Sequence, residues 1–353
     1  MVSLTPVAGS PFSTGATGSH AWSVAFHPSG KLLATANNLG NTGLGSVSLF
    51  GVPASGGLQL LGSPVSTGAN EPTSVAFSPI DTLLAAGNFG SGSVSLFLVE
   101  TVPPFLQALP ISPVAIGGGQ NPYSVAFHPK QRPLYLFAAD FTHNYAVSVF
   151  VLTDPPTGWV AGPPVLFPTG VATPVHDGGP LELAFHPTGN YLATANAMAG
   201  SVSLFLVNDA GHLTLQGLPI PIGLTKVLVS TLAFSPDGHF LATGVGQAGN
   251  VQMLKFNTTA PHLTLLGSPF STGANSETKS VAFNPAGDLL AVANGGSVSL
   301  FEVHPTGALT LVPGSPFSIT GNSNPRSVAF SPSGKLLAVG SESAAVVSIL
   351  AVT

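Results

Sequence analysis

Short apolar runs alternate along the whole chain with clusters of Gly, Pro, Asn and Ser. Leu32-Leu33-Ala34-Thr35-Ala36, then Val47-Ser48-Leu49-Phe50, then Leu58-Gln59-Leu60-Leu61 set the pattern, each run closed by a turn-forming residue. Runs of this length, rich in β-branched and aromatic residues, read as strands. The 3.6-residue spacing of an amphipathic helix is absent, and the repeated Pro and Gly would interrupt any helix longer than two turns.

The runs repeat as a unit. The phrase (Val/Leu)-Ala-Phe-(His/Ser/Asn)-Pro recurs with its aromatic residue at Phe26, Phe77, Phe127, Phe185, Phe234, Phe283 and Phe330. Each copy opens a set of four strands, a to d, of about 40–50 residues, the period of propeller blades packed around a central channel. The last copy supplies only three strands, Ser327–Phe330, Lys335–Val339 and Val346–Val352. The fourth lies at the other end: residues 4–15 match the d run of residues 263–273, both carrying Gly-Ser-Pro-Phe-Ser-Thr-Gly. The pattern therefore predicts an all-β fold, a single seven-bladed propeller over residues 1–353, its ring closed by the N-terminal strand completing the last blade. Closure of this kind removes the open strand edges that invite aggregation.

Composition narrows the function classes. Among 353 residues only 6% are charged, with 8 Lys plus Arg against 13 Asp plus Glu. Two arginines, Arg132 and Arg326, and a net charge of −5 give no basic stripe for a phosphate backbone, so nucleic acid is not an expected partner. No apolar run approaches the roughly 18 residues of a membrane-spanning helix, so a soluble chain outside the membrane is expected. The absence of Cys excludes thiolate metal ligands and a Cys nucleophile. The scarcity of Lys points to an exported bacterial protein, and the first fifteen residues read as a strand rather than a signal core. A monomer is expected, with either a small molecule or a protein as its partner.

Trp-Asp dipeptides, the mark of WD40 blades, are missing, and no Gly-Gly doublet recurs after strand b from blade to blade as in kelch repeats. The phrases Asn324-Pro325-Arg326-Ser327-Val328-Ala329-Phe330-Ser331-Pro332 and Ser74-Val75-Ala76-Phe77-Ser78-Pro79 instead resemble YVTN repeats and the lactonase-like seven-bladed propellers related to 6-phosphogluconolactonase. The resemblance spans all seven repeats. It implies that the d–a and b–c connections share the face around the channel mouth, and that the activity is one of lactonases or muconate-lactonising enzymes. In that family an Arg precedes strand a, the place of Arg326, although Ser327 follows it where the family commonly has His; a mid-ring His and Glu also serve, for which His176 and Glu182 are the nearest candidates.

Function in a repeat protein is best sought where one blade departs from the others. His27, His128 and His186 occupy a position that is Ser or Asn in the other four blades, so they read as turn residues. Asn37, Asn88, Asn196 and Asn294 recur at the end of strand b and are expected to bond turn backbone, whereas Asp140 brings a carboxylate to that place. The widest interval separates Phe127 from Phe185; it holds Asp140, His143, His176, Asp177 and Glu182, the last where every other blade has Ser or Thr. If these groups converge, they have the parts for acid–base chemistry, with Glu182, His176, His143 and Asp140 as the catalytic set. They would equally suit a divalent ion in the channel, or a polar loop facing water; no ligand spacing marks a metal site, and no other cofactor is expected. Just before strand a, Arg326 and Lys279 are candidates to hold an anionic substrate, and Trp22 and Tyr123 offer stacking surfaces, with Asp177 of the long d–a connection as a further substrate-binding candidate. The functional expectation is a small-molecule site at the channel mouth, a hydrolase of a lactone or sugar-acid substrate, with a non-catalytic binding or interaction propeller as the alternative.

Overall fold

The computed structural model describes residues 2–353 except 41–42, 80–81, 118–120, 131–132, 143–144, 155–157, 172–178, 223–227, 246–248, 275 and 322–323. Seven antiparallel sheets form the ring, each ordered a-b-c-d from the inside outwards. In blade 4, for example, strand a is Pro180–Phe185, b is Tyr191–Asn196 and c is Ser201–Val207, and d is broken into Leu213–Leu215 and Ile220–Pro221. Strand a of each blade touches strand a of both neighbours, so the seven innermost strands line the channel. The seventh blade takes a, b and c from Pro325–Phe330, Leu336–Ser341 and Val346–Val352 and its outer strand from Leu4–Pro6 and Phe12–Ser13, in register Leu4↔Val352 and Phe12↔Val347. Among the described residues no helix is long and apolar enough to cross a membrane.

The break in strand d coincides with a recurrent Ser-Pro. Pro cannot donate to a ladder, and the Ser hydroxyl before it takes over as acceptor: Ser10, Ser112 and Ser315 Oγ accept from the strand c amides of Ile349, Leu96 and Leu300 at 2.9–3.0 Å.

Both faces of each blade are covered, which is why strand b is buried end to end rather than alternating. Seven apolar clusters result, one at each junction between neighbouring blades. The aromatic residue of strand c, Phe50, Phe97, Phe150, Phe205 or Phe301, is at most 1% exposed in each.

The amides ending strand b serve the ring in a manner different from the expected contact with turn backbone. Asn37, Asn88, Asn196 and Asn294 Nδ2 donate to the strand c hydroxyls of Ser48, Ser95, Ser203 and Ser299. Each hydroxyl in turn donates, at 2.7 Å, to the carbonyl of Thr14, Thr67, Thr169 or Thr272 in the outer strand of the preceding blade. This buried chain of bonds ties blade to blade, because an unmet polar group there would carry a desolvation cost.

The His-Pro turns also tie blades together. Thr188 N donates to His186 Nδ1 (3.2 Å), leaving Nε2–H to donate to Gly238 O of the next blade (3.2 Å). His128 does the same with Lys130 N and Gly189 O. Gly238 sits at φ +76°, and a Cβ there would fall 2.2 Å from His186 Nε2. Gly238→Ala is therefore expected to destabilise the ring by about 1–3 kcal/mol, read as a lower urea midpoint with an unchanged slope.

Candidate functional site

Every strand a carries the same irregularity. The register with strand b shifts around one residue in each blade, at Ala21/Ser23, Pro72/Ser74, Pro122/Ser124, Pro180/Glu182, Val229/Thr231, Thr278/Ser280 and Pro325/Ser327. A bulge releases one residue from the ladder and re-aims its side chain. The seven released residues, Trp22, Thr73, Tyr123, Leu181, Ser230, Lys279 and Arg326, line one small cavity of about 70 Å³ at the channel mouth. The repeat thus builds a ring of seven places on fixed backbone and fills each differently.

Beneath this ring lies a second. Ser23, Ser74, Thr231, Ser280 and Ser327 each accept, through the side-chain oxygen, from the amide of the next blade's strand a at 3.1–3.3 Å. Glu182 stands in the same ring and makes the same kind of bond, Leu232 N to Oε2 at 3.1 Å, with a longer arm and a charge. Its carboxyl is held above the ordinary carboxylate range, to about 7, chiefly by burial; hydrogen bonds from Thr231 and Leu232 and the charge of Arg326 act in the opposite direction. Glu182 is a carboxyl poised to change charge near neutrality, in contact with the cavity.

Arg326 reaches across the mouth. Its guanidinium carbon lies 4.7 Å from the Trp22 ring centre and 5.8 Å from that of Tyr123, and Nη2 donates to the Tyr123 hydroxyl. Stacking of this kind holds a guanidinium flat while leaving its edge for a ligand. Among the described residues, two buried donors at this place have no hydrogen-bond partner in the protein: Arg326 Nε and Trp22 Nε1. Lys279 lines the cavity as well, but its ammonium forms an ion pair with Glu342 and donates to Asn324 Oδ1 at 3.0 Å.

The structure brings Glu182, Arg326, Trp22, Tyr123 and Lys279 together at the mouth, as the sequence suggested for one shared face. It separates Asp140 from them. That carboxyl is wholly buried inside blade 3, in the place of the recurrent amide, and accepts from Ser148 Oγ at 2.5 Å; burial raises it to about 7. Asp140 is enclosed because the end of strand b is flanked by strands a and c, Pro122 on one side and Ala146 on the other. His143, His176 and Asp177 lie outside the described residues. Among the described residues no group of three or more His, Asp or Glu side chains gathers in a metal-binding arrangement.

Sequence reasoning passed over Thr73, Leu181 and Ser230. The signal that finds them is positional: each immediately precedes the repeat's Ser, Thr or Glu, as Trp22, Tyr123, Lys279 and Arg326 do. Phe89, which meets Tyr123 edge-on at 5.6 Å, carried no signal, because it follows Asn88 in a connection of ordinary composition.

The structure aligns with the periplasmic gluconolactonase of Pseudomonas aeruginosa at a TM-score of 0.67 and 22% identity, covering 84% of this chain and 86% of that one. A candidate 6-phosphogluconolactonase from Bacteroides uniformis aligns at 0.69 and 19%, covering 83% and 84%. A β-propeller domain from Myceliophteria thermophila aligns at 0.66 and 16% over 100% of both chains. No curated protein matches in sequence. The family model described as WD domain, G-beta repeat matches residues 9–42, 224–253 and 315–346. That match qualifies the expectation drawn from the missing Trp-Asp dipeptides: all three segments run through strands a and b, whose spacing propeller repeats share whatever their signature residues. Fold and channel thus define a seven-bladed propeller. Its structural neighbours include the 6-phosphogluconolactonase-like propellers, a likeness of fold at these identities.

Proposed function

We propose that the channel mouth is a hydrolytic site for a lactone, with Glu182 as the general base and Arg326 and Trp22 as donors to the carbonyl oxygen. The observation that carries this reading is that one small cavity is lined by a neutral-range carboxyl and by Arg326 and Trp22, whose buried Nε and Nε1 donors have no partner in the protein. Ionised Glu182 takes a proton from water as the water oxygen bonds to the acyl carbon. The carbonyl oxygen, now an anion, is met by Arg326 Nε–H and Trp22 Nε1–H. Collapse breaks the bond between acyl carbon and ring oxygen, the ring oxygen receives the proton from Glu182, and lactone plus water becomes a hydroxy acid. The lactonases among the structural neighbours support the reaction class.

A base held near 7 works only when ionised, so turnover should rise with pH through about 7 and level off above it. Glu182→Gln keeps an oxygen for Leu232 N but cannot accept the proton; kcat for a lactone panel should fall about 100-fold or more, with the melting temperature retained below pH 4 and raised near neutrality, where the parent carboxyl ionises more readily unfolded than folded. The second reading is a non-catalytic binding or interaction propeller, favoured by the WD-domain match. It requires that no lactone is turned over and that Trp22→Ala weakens ligand or partner binding more than Glu182→Gln does.

A further inference from the structure

The mouth is wider than the catalytic cavity. A groove of about 350 Å³ lies over blades 1 to 3 and shares Trp22, Thr73 and Tyr123 with that cavity; its outer walls are Leu39, Phe89 and Glu71. The central cavity alone holds about five water-sized positions, enough for a carboxyl or ester group and too small for a whole lactone. The body of any substrate whose carbonyl reaches Arg326 must therefore occupy the groove.

Among the described residues the groove is lined by aromatic and apolar side chains, with His20 as its one basic group and neither Lys nor Arg. Phe89 packs edge-on to Tyr123, and Phe141 backs both at about 6 Å. The wall is held in place from two sides. Asn121 Nδ2 donates to Phe89 O at 2.7 Å, and Phe89 N donates to Glu71 O at 2.9 Å. Glu71 precedes Pro72 yet takes φ +52°, a conformation that both its side chain and the following proline disfavour. The strain places a carboxylate on the groove rim. Around the mouth, the charge of Lys279 is spent on Glu342, and Glu182, Glu342 and Glu71 outnumber Arg326 and Lys279 among the described residues. Among the described residues the mouth thus offers a phosphate dianion one permanent cation that is not already ion-paired, Arg326.

We infer that the substrate is a phosphate-free aryl lactone: its ester group sits at Arg326, Trp22 and Glu182, and its planar ring lies in the groove against Phe89, Tyr123 and Leu39. The inference rests on the hydrolytic reading of the channel and adds the substrate class to it.

The test compares dihydrocoumarin, δ-gluconolactone and 6-phosphoglucono-δ-lactone as substrates of the full chain. It also measures binding of 3-(2-hydroxyphenyl)propanoate, the ring-opened product of the first, by tryptophan fluorescence in a Trp159→Phe background so that Trp22 alone reports. The expected result is a kcat/KM for dihydrocoumarin at least tenfold above that for δ-gluconolactone and a hundredfold above that for the phosphorylated lactone. Phe89→Ala, and Phe89→Leu should the first variant fold poorly, should lower the dihydrocoumarin to gluconolactone ratio at least tenfold and weaken product binding at least tenfold. Product binding that survives in Glu182→Gln and depends on Phe89, with no lactone turned over by the parent protein, supports the groove and defeats the hydrolytic reading. Turnover that favours δ-gluconolactone or its phosphate and ignores Phe89 overturns the aryl inference while leaving the hydrolytic reading intact. Absence of both turnover and product binding overturns both.

Discussion

A chain lacking residues 2–16 is expected not to form the native ring. Those residues supply the whole outer strand of blade 7: Leu4 completes the cluster between blades 6 and 7, and Val7 and Phe12 pack at the closure with blade 1. Ser10 Oγ accepts from Ile349 N, and the Thr14 carbonyl accepts from Ser48 of blade 1. Without them the strand Val346–Val352 becomes an open, apolar edge, which pairs with other copies rather than with water. The expected readout is loss of the cooperative melt and of the monodisperse elution peak. A circular permutant separates closure from mere chain loss. Ser3 and Thr353 already exchange backbone bonds, N to O at 2.8 and 3.2 Å, where Asn208 and His212 flank the c–d turn of blade 4. Joining Thr353 to Ser3 through a copy of Asp209-Ala210-Gly211, and cutting between Ala16 and Thr17, should restore the parent melting temperature to within a few degrees. A permutant as unstable as the truncated chain would show that the N-terminal strand does not act by closing the ring.

Asp140→Asn is expected to stabilise the protein, and increasingly so as pH rises. In the unfolded chain this carboxyl ionises near its ordinary 3.8; in the folded ring burial holds it protonated until about 7. Well below pH 4 both states are protonated and the stabilising contribution of Asp140 is fully present. As pH rises towards 7 the unfolded state releases a proton that the folded state keeps, and stability is lost progressively, roughly 4 kcal/mol in all. Asn does not titrate. It also restores the pattern of four other blades, in which the amide donates to the strand c hydroxyl and the hydroxyl is freed for the preceding blade. The gain over the parent should grow from near zero at pH 4 to roughly 4 kcal/mol above pH 8, measured by denaturant unfolding across pH. Glu182, raised from 4.5 to about 7, imposes a similar slope in both proteins, so the difference between them isolates Asp140. Parallel stability curves for the two proteins would sink the assignment.

The legibility of the sequence tracks how local each determinant is. Strand positions, turn residues and blade number follow from apolar runs and from Gly and Pro, which act on their own segment. The closure by residues 4–15 was legible for the same reason: the run Gly9-Ser10-Pro11-Phe12 repeats that of Gly267-Ser268-Pro269-Phe270. The repeat also exposed Glu182 and Asp140 as departures. It could not say that they part company, because a side chain's face depends on the bulge before Glu182 and on the enclosure of Asp140 by its own blade.

Charge partners were equally beyond the sequence. Lys279 and Arg326 read alike as free cations on consecutive blades, yet one is neutralised by Glu342, 63 residues away, and the other is stacked on Trp22, brought beside it by ring closure. The sequence by itself determined the propeller, its seven blades and its closing strand, since those depend on periodic burial and turn chemistry repeated in every unit. The tertiary structure alone decided which bulged residues face one another across the channel and which donors stay unpaired there. It also decided that an aromatic groove opens beside them, because these are relations between blades that no single repeat contains.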